Sequence, residues 1–264
     1  MKPKIIFFDI DGTILTEKTL VIPESTKRAI RKAQENGHLA FINTGRPIVS
    51  IDTFIKDIKF DGYICGCGTY IEYADKVLFS KQLGNKLSKD VVNDLKECKI
   101  DAILEGENGL YYDEDSNINS KELMRIKKRH IEEHLYNGET WNSPEINFDK
   151  LTIWTRDDSN FEEFNKKYSD VFEFIHRGKD FYELVPLGFS KSSGIEYIIK
   201  YLNLPFENTY AIGDSTNDLS MLKYVKNSIA MGNSNPILFD FVSFVTKDIG
   251  DDGIEYALKH FNII

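Results

Sequence analysis

The apolar residues of the chain fall into short unbroken runs that stop at polar loops. From Lys4 to Phe8 the sequence is apolar after the first residue, then ends at Asp9-Ile10-Asp11-Gly12-Thr13. That pattern predicts a strand buried on both faces and closed by a polar loop. Pro23-Glu24-Ser25 opens a helix in which Ala29, Ile30 and Ala33 share one face, and Asn36-Gly37 closes it. A second strand, His38 to Ile42, ends at Asn43-Thr44-Gly45-Arg46-Pro47, and the spacing of Ile48, Ile51 and Ile55 predicts a helix behind it. Strand, polar loop and helix in repetition predict a doubly wound, Rossmann-like α/β parallel sheet.

The rhythm changes after about residue 81. Residues 82–186 predict helices near 88–98, 120–135 and 160–169, and strands near 101–105, 109–113 and 150–155. An apparent hairpin pairs Val171–Ile175 with Phe181–Val185. Helices against short paired strands indicate an α+β unit. From Lys191 the first rhythm resumes, with a helix over 191–202, a strand over Tyr210–Ile212 and a helix over 216–223. The expected organisation is a discontinuous α/β core, residues 1–81 and 187–264, with an α+β domain inserted at 82–186. At 264 residues the chain has room for two such domains.

Charge sharpens this division. The formal net charge is −9, and the three segments carry +2, −8 and −3 in chain order, so nearly all the acidic surplus sits on the insert. An acidic chain without an arginine-rich stripe is a poor partner for nucleic acid. No apolar run approaches the ~20 residues a membrane span needs, and Ile5-Ile6-Phe7-Phe8 is too short for a secretion signal. Three cysteines, Cys65, Cys67 and Cys98, fit reduced thiols better than a disulfide framework, so a cytoplasmic location is expected.

Four polar sites fall at strand ends or a helix start: Asp9 with Asp11, Thr44, Lys191, and Asp214 with Asp218. Open α/β sheets place their ligands there. Carboxylates from two strand ends suit one hard cation such as Mg²⁺, which would neutralise phosphoryl oxygens. Thr44 and Lys191 would add a hydroxyl and a fixed positive charge. A lone Asp at a strand end is usually a cap and a lone Lys is usually solvated, but four such sites in this order are hard to dismiss.

Phe7-Phe8-Asp9-Ile10-Asp11-Gly12-Thr13, Thr44-Gly45-Arg46, Lys191 in Gly188-Phe189-Ser190-Lys191, and Gly213-Asp214-Ser215-Thr216-Asn217-Asp218 resemble the four motifs of the haloacid-dehalogenase superfamily. The Gly-Asp-x-x-Asn-Asp form, the long insert and Tyr182-Glu183-Leu184-Val185-Pro186 before the lysine are similar to its Cof-type phosphatase branch. The resemblance covers the whole chain. It implies an Mg²⁺-dependent phosphatase in which the insert is a cap that sets specificity. Asp9 would be the nucleophile, forming an aspartyl-phosphate, and Asp11 the general acid and base. Asp9, the Asp11 carbonyl and Asp214 would hold the metal, with Asp218 in its outer shell. Thr44, Lys191, Asn217 and the backbone N–H groups near Ile10 and Gly45 would hold the phosphoryl oxygens.

Two positions depart from that pattern. Cys67 in Gly66-Cys67-Gly68-Thr69 stands where the family usually has Asn, and Ser192 follows the lysine where Gly is common. Other signals are weaker. His130-Ile131-Glu132-Glu133-His134 matches one zinc-peptidase pattern but reads as a solvated helix. Cys65-Gly66-Cys67 reads as small residues at a strand end. Tyr111, Tyr112, Trp141 and Trp154 are candidate pocket residues in the insert, with core the better expectation. The expected substrate is a small phosphorylated metabolite, such as a sugar phosphate or a phosphorylated cofactor like pyridoxal phosphate or flavin mononucleotide. The expected state is a monomer or small homo-oligomer. The alternatives are a sugar phosphomutase-type phosphotransferase and a non-catalytic phosphoacceptor module.

Overall fold

A computed structural model describes residues 3–264. In chain order it begins with β1 (Ile5–Phe8), α1 (Glu24–Glu35), β2 (Leu39–Asn43), α2 (Thr53–Lys56), β3 (Gly62–Cys65), β4 (Tyr70–Tyr73) and β5 (Lys76–Ser80). Next come α3 (Asn85–Glu97), β6 (Asp101–Gly106), β7 (Gly109–Tyr112), α4 (Lys121–Glu132), β8 (Lys150–Trp154), α5 (Phe161–Tyr168), β9 (Phe172–Gly178) and β10 (Phe181–Pro186). The chain closes with α6 (Lys191–Leu202), β11 (Thr209–Gly213), α7 (Leu219–Tyr224), β12 (Asn227–Ala230), β13 (Phe244–Val245) and α8 (Gly253–His260). Two compact units result. Among the described residues, one holds 3–45, 54–78 and 190–264; the other holds 46–53 and 79–189.

The first unit is built on an eight-stranded sheet in the order β13-β12-β11-β1-β2-β3-β4-β5. Every pair from β13 to β3 is parallel, and β4 turns back antiparallel on β3. β1 lies at the centre because Ile5, Ile6, Phe7 and Phe8 have no exposed surface, as a strand covered on both faces requires. Ile5 pairs with Thr209 on one side and Leu39 on the other. Asp9 and Asp214 therefore leave adjacent strands at their carboxyl ends, where the chain connections diverge and open sheets bind ligands. α1 buries Ala29, Ile30 and Ala33, as its apolar face predicts.

Of two expected helices one is interrupted, and the other, over 216–223, is present with its first turn wound as 3₁₀. Behind β2 a single 3₁₀ turn covers Ile48–Ser50, Ile51 is extended, and α2 follows. Pro47 starts the turn, and the extended Ile51 breaks the helical spacing of the three isoleucines. After β11 a 3₁₀ turn, Thr216–Asp218, precedes α7.

The second unit holds an antiparallel five-stranded sheet in the order β7-β6-β8-β10-β9. One face carries Ala102, Leu104, Leu151, Ile153 and Leu184 against Val91 and Leu95 of α3 and Phe164 of α5. The other carries a smaller cluster of Ile103, Tyr112, Trp154 and Leu123 of α4, beside a row of charged groups, Glu105, Lys150 and Glu183. Tyr111 and Trp141 belong to the larger cluster and Tyr112 and Trp154 to the smaller, so all four are core. α4 stops at Glu132, and His134 has a left-handed backbone. His130 and His134 thus do not share a helix face; His130 Nδ1 instead sits 2.6 Å from the Tyr112 hydroxyl. The three cysteines are buried and unbridged. Among the described residues no helix is long and apolar enough to cross a membrane.

Candidate active site

Each acidic residue is placed by a strand that ends under it. Asp9 follows β1 directly and is 4% exposed. Its loop is folded tightly: the Ile10 carbonyl accepts from the N–H groups of Thr13, Ile14 and Leu15. Gly12 has φ +75°, and a Cβ there would lie 2.2 Å from Asp214 Oδ2. Only glycine lets the loop come so close to that carboxylate. Asp214 follows β11, and Thr13 Oγ1 donates to its Oδ1 at 3.4 Å.

Asp218 is fully buried and organises its own loop. Its Oδ2 accepts from the N–H groups of Asp214 at 3.0 Å and Ser215 at 3.1 Å. A Cβ on Gly213 would strike the Asp218 carboxylate at 2.5 Å, so the glycine of this motif is also required by space. Asn217, half-buried, accepts from Ser215 Oγ at 2.5 Å.

Lys191 is the first residue of α6, whose start is fixed by a reciprocal cap between Ser190 and Ser193. It is 1% exposed, and its Nζ donates to Asp9 Oδ1 and Asp218 Oδ1, both at 2.5 Å. Thr44 follows β2 and is buried; its N–H donates to the Ile64 carbonyl and its carbonyl accepts from Cys67 N–H. Asp11 and Gly45 are half-buried in the same unit, and Ile10 is buried. Cys67 has φ +56°, a left-handed conformation that Asn adopts more readily than Cys.

The electrostatics follow from burial. Desolvation and the neighbouring Asp218 charge push the Asp9 carboxyl well above its ordinary range, against the pull of Lys191. Asp214 is pushed up to about 7, chiefly by burial and then by Asp218. Burial works against the Lys191 charge but is outweighed by Asp218 and Asp9, so the ammonium is held charged above its ordinary range. Carboxylate oxygens of Asp9, Asp214 and Asp218 lie within 4.8 Å of one another. One ammonium cannot neutralise three close carboxylates, so this all-oxygen donor set, whose crowded charge favours taking up a proton or a cation, fits a hard divalent cation.

One supporting residue escaped the sequence reading. Asn43, with no exposed surface, donates from Nδ2 to the Lys191 carbonyl at 3.0 Å. A polar residue at the end of an otherwise apolar strand was the available signal.

Comparison with known proteins gives the family of the chain. The family model for haloacid dehalogenase-like hydrolases matches residues 6–258. The candidate phosphatase YkrA of Bacillus subtilis (strain 168) is 27% identical over 269 residues, with 100% of each chain covered. The 5-amino-6-(5-phospho-D-ribitylamino)uracil phosphatase YcsE of the same organism is 24% identical over 259 residues, covering 98% of this chain and 95% of that one. Among solved structures, the subclass IIB sugar phosphatase BT4131 superposes with a TM-score of 0.81 at 28% identity, covering 99% of this chain and 100% of that one. The chain belongs to the haloacid dehalogenase-like hydrolase family, as a phosphatase of its Cof-type branch.

Proposed function

We propose that the protein hydrolyses small phosphomonoesters, in the presence of Mg²⁺, through an aspartyl-phosphate on Asp9. The observation that carries this reading is the Asp9 carboxylate held 2.5 Å from the Lys191 ammonium inside a three-carboxylate cluster. A carboxylate nucleophile would be repelled by a phosphate dianion unless positive charge screened both.

An Asp9 oxygen attacks phosphorus in line, the bond from phosphorus to the ester oxygen breaks, and Asp11 gives its proton to the departing alcohol. A water then attacks phosphorus while Asp11 takes its proton, and the phosphorus–Asp9 bond breaks to release inorganic phosphate. Acid–base help of this kind contributes ~10²–10⁴-fold. Thr44, Lys191, Asn217 and the backbone N–H groups near Ile10 and Gly45 hold the phosphoryl oxygens. Asp9, the Asp11 carbonyl and Asp214 would hold Mg²⁺, with Asp218 beyond them, and the ion would supply neutralisation of phosphoryl charge.

For the substrate we favour a phosphate carried on a sugar or sugar-alcohol carbon, because the similar proteins include a sugar phosphatase and a phosphatase of a phosphoribityl compound. Residues 82–186 would act as the cap that reads the leaving group. The test is phosphate release from a panel of phosphorylated metabolites, with Mg²⁺ and again with EDTA, alongside Asp9→Asn. Release that needs both the metal and Asp9, and that ranks sugar phosphates high, is expected. Undiminished release by Asp9→Asn would overturn the reading.

A further inference from the structure

The segment Met231–Asn235, after β12, is bonded to both acidic loops of the site. On one side Met231 N–H donates to the Gly213 carbonyl and Asn235 N–H to the Asp214 carbonyl, each at 3.0 Å. The Ser234 hydroxyl also reaches the Gly213 carbonyl, at 3.4 Å. On the other side the Asn233 amide donates from Nδ2 to the Gly12 carbonyl at 2.8 Å. Its Oδ1 accepts from Ile249 N–H, also at 2.8 Å. Both ends of one carboxamide are therefore engaged, and they tie the Asp9–Thr13 loop to a segment already fixed on Gly213 and Asp214.

The tie bears on the spacing of the carboxylates. Gly12 is packed so closely on the Asp214 carboxylate that no side chain fits between them. Any slackening at the Gly12 carbonyl moves the Asp9–Asp11 loop relative to Asp214. We propose that Asn233 is a positioning residue for the reaction, clamping the nucleophile loop at its working distance from the Asp214 loop. This inference rests on the phosphatase reading above. Groups that orient a reacting carboxylate or a ligand commonly matter by 10–10²-fold although they touch no substrate.

The carboxamide is required because one residue must both donate and accept. Asn233→Asp keeps the shape and the acceptor for Ile249 but sets a carboxylate oxygen against the Gly12 carbonyl. Asn233→Ala removes both bonds. Ser243→Ala, which removes a hydroxyl bonded to the Ser228 carbonyl in the same unit, serves as a control for general loosening.

The experiment measures kcat and KM for p-nitrophenyl phosphate at saturating Mg²⁺, well below each melting temperature. Hydrogen exchange at the amides of Gly12–Leu15 is measured in the metal-free protein. The expected result is a kcat lowered roughly 10–10²-fold in both Asn233 variants with KM little changed. Exchange at Gly12–Leu15 rises about five- to tenfold, as loss of one buried hydrogen bond implies. Ser243→Ala keeps the wild-type kcat. Wild-type kcat in Asn233→Ala, or unchanged exchange in that loop, overturns the proposal. So does a loss confined to Asn233→Asp, which would mark its added charge. Asn233→Asp carries the test where Asn233→Ala fails to fold, through the exchange measurement. Wild-type protein that releases no phosphate would contradict the phosphatase reading instead, and the exchange result would still decide on the clamp.

Discussion

The two oxygens of Asp218 serve unlike partners. Oδ1 faces the Lys191 ammonium, and Oδ2 holds the N–H groups of Asp214 and Ser215. One fully buried carboxylate thus fixes both the cation of the site and the backbone from which Asp214 projects. The arrangement crowds negative charge. Asp214, with an ordinary value of 3.8, is pushed up to about 7, so the folded metal-free protein holds a proton that the unfolded chain has released between those values. Stability of the metal-free protein should therefore fall as pH rises from about 4 to about 7, and Mg²⁺ should restore more of it at the upper end. Melting temperatures of EDTA-treated and Mg²⁺-loaded protein across that range will check this. A gap between the two that narrows as pH rises would contradict it.

At the scale of elements, the second sheet shows how paired strands can bury ions. Lys150 on β8 is 4% exposed and lies 2.9 Å from Glu105 on β6 and 3.1 Å from Glu183 on β10. Thr152 donates to Glu105 at 2.7 Å, and Arg177 on β9 donates to Glu183 from Nε at 3.0 Å. Burial pushes the Glu183 carboxyl up, but Lys150 and Arg177 outweigh it and bring the group down to about 2. Lys150→Met would remove the ammonium from Glu105 and from Glu183, which keeps its contact with Arg177. We expect a loss of about 3 kcal/mol or more, read from the urea midpoint, and partial recovery in Lys150→Met/Glu105→Gln. The pair's contribution is complete above the ordinary glutamate value of 4.5 and disappears as pH falls toward 2. A wild-type midpoint in Lys150→Met would show that the row contributes nothing.

Over the whole molecule, the legible parts were those where burial leaves a simple pattern. β1, β2 and β11 are covered on both faces, so their sequences are apolar runs that end at the polar residues of the site. At one end of the sheet, β4 and the edge strand β5 read Tyr70-Ile71-Glu72-Tyr73 and Lys76-Val77-Leu78-Phe79-Ser80, and partly exposed strands of that kind give no clear period. The spacing of Ile48, Ile51 and Ile55 imitated a helix that the turn at Pro47 and the extended Ile51 forbid. Asn233 was illegible for another reason: its partner Gly12 lies 221 positions away, and no local pattern encodes a contact of that span. The central claim, a covalent intermediate on Asp9, can be tested most directly by intact-mass spectrometry of Asp11→Asn mixed with a phosphorylated substrate and Mg²⁺. Slowed hydrolysis with one phosphoryl group gained per chain, mapped to Asp9 and absent from Asp9→Asn/Asp11→Asn, is the predicted result. Continued phosphate release with no phosphoryl group on the protein, or one mapped to another residue, would contradict it.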